Sequence, residues 1–366
     1  MAEIVVEHVQ KSFGNFLAVR DSSFVVDDGD FVCLLGPSGC GKTTTLRMIA
    51  GLELPTSGRI LLDGQEVTTQ SASGRDIAFV FQMFALYPHL NVRSNIAFPL
   101  ESQGVKPTEI KQRVEQAAAT LRIQHLLNKS VSSLSGGDRQ RVALGRAIVR
   151  HPKAFLMDEP LGALDAEFRH LMCGELRLIH NRLKATTVYV THDQAEAMSM
   201  ADRIAVMNQG VIEQLASPQE IYDQPASLFV AGFIGFPAMN LIPCTASVIA
   251  GESSAEHVLI NGTAVPIGRR IPIIDDPQCV IGLRPEHIFL SDQAPLRAKV
   301  YGTEYLGTNQ IVTLVLNDDC TFLKARVRSE LDVHAGDHVG IGFTAEKISL
   351  FSARDGKSVA LAPVAG

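Results

Sequence analysis

The run Gly36-Pro37-Ser38-Gly39-Cys40-Gly41-Lys42-Thr43-Thr44 carries the spacing G-x-x-x-x-G-K-[ST]. In such a run the glycines let backbone N–H groups turn inward around phosphate oxygens, and the N-terminus of a following helix adds positive potential. Lys42 is placed to reach β- and γ-phosphates, and the Thr43 hydroxyl to hold Mg²⁺. Without a ligand the same letters would make only a glycine-rich strand-to-helix turn. The flanks favour the phosphate reading. Residues 31–35 are a short apolar run that reads as a buried strand, and residues 45–50 begin a helical pattern.

A second constellation, Asp158-Glu159, ends an apolar run. In a phosphate-loop ATPase the acid at such a strand end holds Mg²⁺, and the next carboxylate can activate the attacking water. Strand side chains alternate in direction, so two adjacent acids can divide these roles. Asp158 is assigned to Mg²⁺ and Glu159 to the general base. Taken alone, the pair reads equally well as exposed loop acids. A third stretch, Ser135-Gly136-Gly137, stands before a helical pattern over 139–149. Its N–H groups could bind phosphate, although a plain helix cap is the commoner use of such residues.

The elements that must position these groups come from the hydrophobic pattern. Runs at 77–81, 154–157, 187–190 and 203–207 read as strands buried on both faces, the mark of a mostly parallel sheet covered by helices. Ile110, Val114, Ala117 and Leu121 are spaced for a helix over 109–123. After about residue 236 the chain turns β-rich, with runs at 280–283, 310–316 and 338–343 separated by turn residues, which suggests a small barrel or sandwich. Residues 281–290 and 341–350 share Ile, Gly, Glu, Ile and Leu in step, either two related β-units or a chance similarity of short strands.

A chain of 366 residues holds two or three domains. Its net charge of −6 and lack of a basic run argue against nucleic acid as a partner. Cys33, Cys40, Cys173, Cys244, Cys279 and Cys320 form no Cys-x-x-Cys pair, and the N-terminus lacks a signal-peptide layout, which fits reduced thiols in a cytosol. No apolar stretch is long enough to span a bilayer as a helix, so a membrane role must come through a partner.

The order of phosphate loop, Gln82, Ser-Gly-Gly turn, acid-tipped strand and Thr191-His192-Asp193 resembles the ATP-binding cassette (ABC) family. The signature reads Leu134-Ser135-Gly136-Gly137-Asp138, and Pro160-Leu161-Gly162-Ala163-Leu164-Asp165 is similar to the family's D-loop. The resemblance implies an α/β P-loop ATPase domain with a helical subdomain at about 86–155, followed by a C-terminal all-β OB-like domain of the TOBE/MOP type. The expected ranges are 1–235 and 236–366. It implies that His192 contacts the γ-phosphate and holds the water, and that Gln82 senses Mg²⁺ and water. It also implies that ATP is cradled by Gly36, Pro37, Ser38, Gly39, Cys40, Gly41, Lys42, Thr43 and Thr44. Ser135, Gly136, Gly137 and Asp165 would serve nucleotide held by a second ATPase subunit, identical or related.

Two positions depart from the family pattern. Asp138 replaces the usual Gln or Glu, which shortens the side chain by at least a methylene and leaves the Ser-Gly-Gly donors. Phe13 stands where a Tyr commonly stacks on adenine, and it keeps the stacking face.

Within the family, Ala85-Leu86-Tyr87-Pro88-His89, the segment 191–198 and Gly282-Leu283-Arg284-Pro285-Glu286-His287 resemble ATPases of bacterial carbohydrate importers of the maltose and glycerol-phosphate type. Importers of polyamines and ferric iron share much of this layout. Soluble cassette ATPases of repair or translation usually carry long coiled coils, zinc hooks or a second cassette, and none is read here. The resemblance implies a subunit on the cytoplasmic face of the inner membrane, attached to integral permease subunits and served indirectly by a solute-binding protein. The apolar segment 82–90, with Leu86 and Tyr87, is expected to receive a short helix from the permease; a buried connection is the plainer alternative.

Overall fold

The strand Phe31–Leu35, buried at every position, lies inside a ten-stranded sheet. Thr186–Thr191 and Arg203–Asn208 flank it, both parallel to it. Ala154–Asp158 and Ile77–Val80 extend the parallel run outward. This is a computed structural model, and it describes residues 2–82, 85–150, 152–162, 164–247, 255–271, 277–316 and 321–363. Met83 and Phe84 of the segment 82–90, together with Ala163 and Cys320, lie outside the described residues.

The other edge of the sheet is antiparallel. Ile4–Phe13 pairs with Phe16–Val26 on one side and with Ser57–Leu62 on the other. The sequence reading did not name these strands. Their burial alternates along the chain, because one face meets the core and the other does not, so they lack the continuous apolar run of a central strand. Helix Lys42–Ala50 packs on the parallel strands.

Helices Val92–Ser102, Pro107–Thr120 and Gly136–Ile148 pack on one another as a helical group. The helix expected over 109–123 starts earlier because Pro107 takes its first turn, where a missing N–H costs nothing. It ends at Thr120, and Arg122 then adopts a left-handed φ of 58°.

The contacts divide the chain into Met1–Pro218 and Gln219–Gly366, ahead of the composition change at 236. The second unit holds a six-stranded and a five-stranded sheet whose inner faces share one core that includes Ile242, Ile281, Val300, Leu314 and Ile341. The sequence echo has a structural basis. Gln278–Leu283, the turn Pro285–His287 and Ile288–Leu290 repeat as His338–Phe343, the turn Ala345–Lys347 and Ser349–Ser352. Each repeat lends a strand to the other: Gln278–Leu283 pairs with Ser349–Ser352, and Ile288–Leu290 pairs with His338–Phe343.

The motif at 282–287 is a clamp within this unit. The buried Arg284 guanidinium donates to Ile234 O and, at 2.7 Å, to Tyr222 O. It also lies 4.0 Å over the Tyr222 ring. It thereby anchors helices Pro218–Asp223 and Leu228–Phe233.

Candidate active site

The phosphate loop leaves Phe31–Leu35 and enters helix Lys42–Ala50 through Gly41, whose φ is 103°. A Cβ on Gly41 would lie 2.7 Å from Ala18 O, so both conformation and space require glycine here. Lys42 is buried, and its ammonium donates to Gly36 O at 2.8 Å and Pro37 O at 2.9 Å. These bonds hold the side chain along the loop. Ser38 and Gly39 are exposed at the loop tip, while Cys40 is buried beneath it. Pro37 and Thr44 are half-buried.

Thr43 Oγ1 donates to Asp158 Oδ1 at 2.8 Å. Burial raises the Asp158 carboxyl above its ordinary value, and the Thr43 hydrogen bond opposes that rise. The hydroxyl and carboxylate are hard oxygen donors of the kind Mg²⁺ takes. Among the described residues, no group of three His, Cys, Asp or Glu side chains is arranged to hold a metal. A Mg²⁺ ion held largely by phosphates and water needs no such group.

Asp158 is the last residue of its strand. Glu159 follows with a left-handed φ of 44°, uncommon for a residue with a Cβ. Strand alternation was expected to separate the two acids, but this backbone kink carries Glu159 out of the strand. Two bonds hold the strained peptide: Glu159 N donates to Val190 O at 3.0 Å, and Gly162 N donates to Glu159 O at 3.2 Å.

Gln82 Nε2 donates to Glu159 Oε2 at 3.3 Å, and His192 Nδ1 lies 3.3 Å from the same oxygen. Three residues far apart in sequence therefore meet at one carboxylate. Gln82 follows strand Ile77–Val80, and His192 follows strand Thr186–Thr191.

The signature residues make a different set of contacts. Ser135 caps helix Gly136–Ile148 by accepting from Asp138 N at 3.2 Å, and its hydroxyl donates back to Asp138 Oδ2 at 2.8 Å. The short Asp138 side chain thus closes a reciprocal cap. A Cβ on Gly137 would lie 2.1 Å from Phe168, and one on Gly136 would lie 3.5 Å from Leu164. Asp165 accepts from Phe168 N at 2.9 Å and caps helix Ala166–Leu183. Among the described residues, these contacts tie the signature to the D-loop of its own chain. Phe13 is half-exposed at a hairpin turn, with the Lys11 ammonium 4.8 Å from its ring centroid.

Sequence reasoning missed Asn95 and Arg146. The buried Asn95 amide donates to the carbonyls of Tyr87 and Leu90, and its oxygen accepts from Tyr87 N at 2.9 Å. Arg146 donates to Ala85 O at 2.7 Å and lies 5.3 Å from the Tyr87 ring centroid. No spacing rule picks out a single Asn or Arg on a helix. Together they shape segment 85–90 beside a cleft of about 400 Å³ lined by Phe79, Phe81, Tyr87, Phe98 and Arg146.

The profile of the ABC transporter family matches residues 19–162, and that of the TOBE domain matches residues 281–351. The trehalose/maltose import ATP-binding protein MalK of Thermococcus litoralis is 46% identical, over 98% of this chain and 100% of the relative. The sn-glycerol-3-phosphate import ATP-binding protein UgpC of Ruegeria pomeroyi is 41% identical, over 98% of this chain and 100% of the relative. The solved structure of cbiO1 from Clostridium perfringens, part of the ABC transporter complex cbiONQ, aligns with a TM-score of 0.56 and 27% identity. That alignment covers 60% of this chain and 89% of that one. With near-full-length relatives at this identity, the chain belongs to the ABC transporter family, as an ATP-binding subunit with a P-loop ATPase domain and a C-terminal all-β TOBE domain.

Proposed function

We propose that this chain hydrolyses ATP to energise import of a sugar, polyol or glycerol phosphate across a bacterial inner membrane. The observation that carries the catalytic part is the convergence of Gln82 and His192 on Glu159 Oε2. In this reading Glu159 takes a proton from the water that attacks the γ-phosphorus. His192 and Gln82 hold that water and the carboxylate in register. Lys42 and the backbone N–H groups of residues 38–44 neutralise charge that develops on the phosphate oxygens. Thr43, Asp158 and Gln82 would hold Mg²⁺, which when bound would neutralise phosphate charge. Phe13 stacks on the adenine.

The substrate class rests on the relatives, one named for trehalose and maltose import and the other for sn-glycerol-3-phosphate import. Neither name points to polyamines or iron. Among the described residues, no helix is long and apolar enough to cross a membrane. In this reading the subunit is a peripheral protein on the cytoplasmic face, bound to integral permease subunits and served indirectly by a solute-binding protein. The cleft beside Tyr87 supports segment 82–90 as the seat of a permease helix.

A second ATPase subunit, identical or related, completes the site. Ser135, Gly136, Gly137 and Asp165 would then serve the partner's nucleotide. Residues 1–235 carry the ATPase role, and residues 236–366 a regulatory and dimer-contact role. The test is ATP-driven uptake of labelled maltose, trehalose or sn-glycerol-3-phosphate into vesicles holding the chain with its copurifying membrane proteins. Uptake that requires ATP supports the reading. Copurification with no membrane protein, and hydrolysis tied to a soluble partner, would overturn it.

A further inference from the structure

Between the D-loop and the loop that carries His192 stands one guanidinium. Arg169 lies on helix Ala166–Leu183, one turn beyond its cap Asp165. Its Nη2 donates to Leu164 O at 2.8 Å, within the D-loop. Its Nη1 donates to Asp193 Oδ2 at 3.0 Å, next to His192. Its Nε lies 3.5 Å from Glu196 Oε1.

The acceptors are themselves fixed. Asp193 Oδ1 caps helix Gln194–Met200 by accepting from Ala195 N at 2.8 Å and Glu196 N at 3.3 Å. Asp193 N donates to Thr191 Oγ1 at 2.9 Å. The buried Glu196 Oε2 accepts from Tyr189 and Thr191 hydroxyls, each at 2.8 Å. Burial pushes the Glu196 carboxyl up, Asp193 adds to that rise, and Arg169 opposes it. A planar fork with fixed donor directions can register two loops where a single point charge cannot.

We infer that Arg169 is a positioning residue that locks the D-loop to the His192 loop and so holds His192 in register with Glu159. The inference rests on Glu159 as the general base. Arg177 supplies an internal control. It lies on the same helix and grips the other end of Gln194–Met200, donating to Met200 O at 2.9 Å and Asp202 Oδ1 at 2.6 Å. It is one more Arg–Asp clamp on the same two helices, remote from Glu159 in the hydrogen-bond chain.

The experiment compares ATP turnover by the full chain carrying Arg169→Gln, Arg169→Lys, Asp193→Asn, Arg169→Gln with Asp193→Asn, Arg177→Gln or Glu159→Gln. Arg169→Gln should lower kcat about 10-fold or more while KM for ATP moves less than about twofold. Arg169→Lys keeps the charge and loses the fork, so it should fold as the parent does and still lose kcat, which keeps the test decisive if the Gln variant fails to fold. The double variant should be no slower than the slower single one. Arg177→Gln should keep kcat within about twofold. Full turnover by Arg169→Lys, an equal loss in Arg177→Gln, or multiplicative losses in the double variant would overturn the inference. Retained turnover by Glu159→Gln would instead overturn the assignment of the base, whatever Arg169 does.

Discussion

His192 Nδ1 and the Gln82 amide meet at the same oxygen of Glu159, each 3.3 Å away. A proton on Nδ1 makes the histidine contact a hydrogen bond and leaves Nε2 as an acceptor. The carboxylate is thus held by loops that leave different strands, while a left-handed backbone at Glu159 carries it out of the strand that Asp158 ends. The main chain itself sets the two acids apart, Asp158 at the strand end and Glu159 beyond it.

The buried Asp158 carries a cost in stability, which the proposed Mg²⁺ role would explain. Its carboxyl is raised by burial, so the ionised form is disfavoured in the folded protein. Below its unfolded pKa the group is protonated in both states, and the cost is absent. As pH rises through the raised folded pKa, the cost appears and persists at neutral pH. Asp158→Asn should therefore stabilise the nucleotide-free chain by about 1 kcal/mol at pH 7. The gain should fade on acidification. The same variant should need about 10- to 100-fold more Mg²⁺ for half-maximal turnover. Thermal melts across pH and a Mg²⁺ titration of hydrolysis check both parts.

Gly137 packs tightly against the Phe168 ring, whatever it contributes to phosphate binding. A Cβ there would meet the Phe168 ring at 2.1 Å. Gly137→Ala should cost about 1–3 kcal/mol in urea unfolding. In a Phe168→Ala background the same change should cost less than about 1 kcal/mol, because the clash partner is gone.

Much of this architecture is legible in the sequence. The parallel strands announce themselves as apolar runs, and the phosphate loop, Asp158-Glu159 and His192 follow from motif order. The half-exposed strands Ile4–Phe13 and Ser57–Leu62 escape because their apolar stretches, at 4–6 and 60–62, are short and the rest of each strand is largely polar. Asn95, Arg146 and Arg169 escape for another reason. Each works through backbone carbonyls or a distant carboxylate that only the fold brings within reach. The motif at 282–287 is visible, but its use as a clamp on Tyr222 and Ile234 is not.

Tyr87 tests the proposed docking surface. Its ring is held between Phe98, at 4.5 Å, and the Arg146 guanidinium, at 5.3 Å. Tyr87→Glu should remove an aromatic anchor and weaken binding to permease-bearing vesicles about 30-fold or more. Nucleotide binding by the isolated chain should persist, and ATP-driven uptake should fail. Wild-type uptake by this variant would remove segment 82–90 from the interface.

The most direct test is hydrolysis by the purified chain and its Glu159→Gln variant, with molecular mass measured at saturating ATP and Mg²⁺. A carboxylate that activates water predicts loss of turnover by about 100-fold or more in the variant. ATP left uncleaved should hold two subunits closed, so the variant should run as a stable dimer. Turnover near the parent's rate would contradict Glu159 as the base, and a monomer at saturating ATP would contradict a site shared between two copies of this chain.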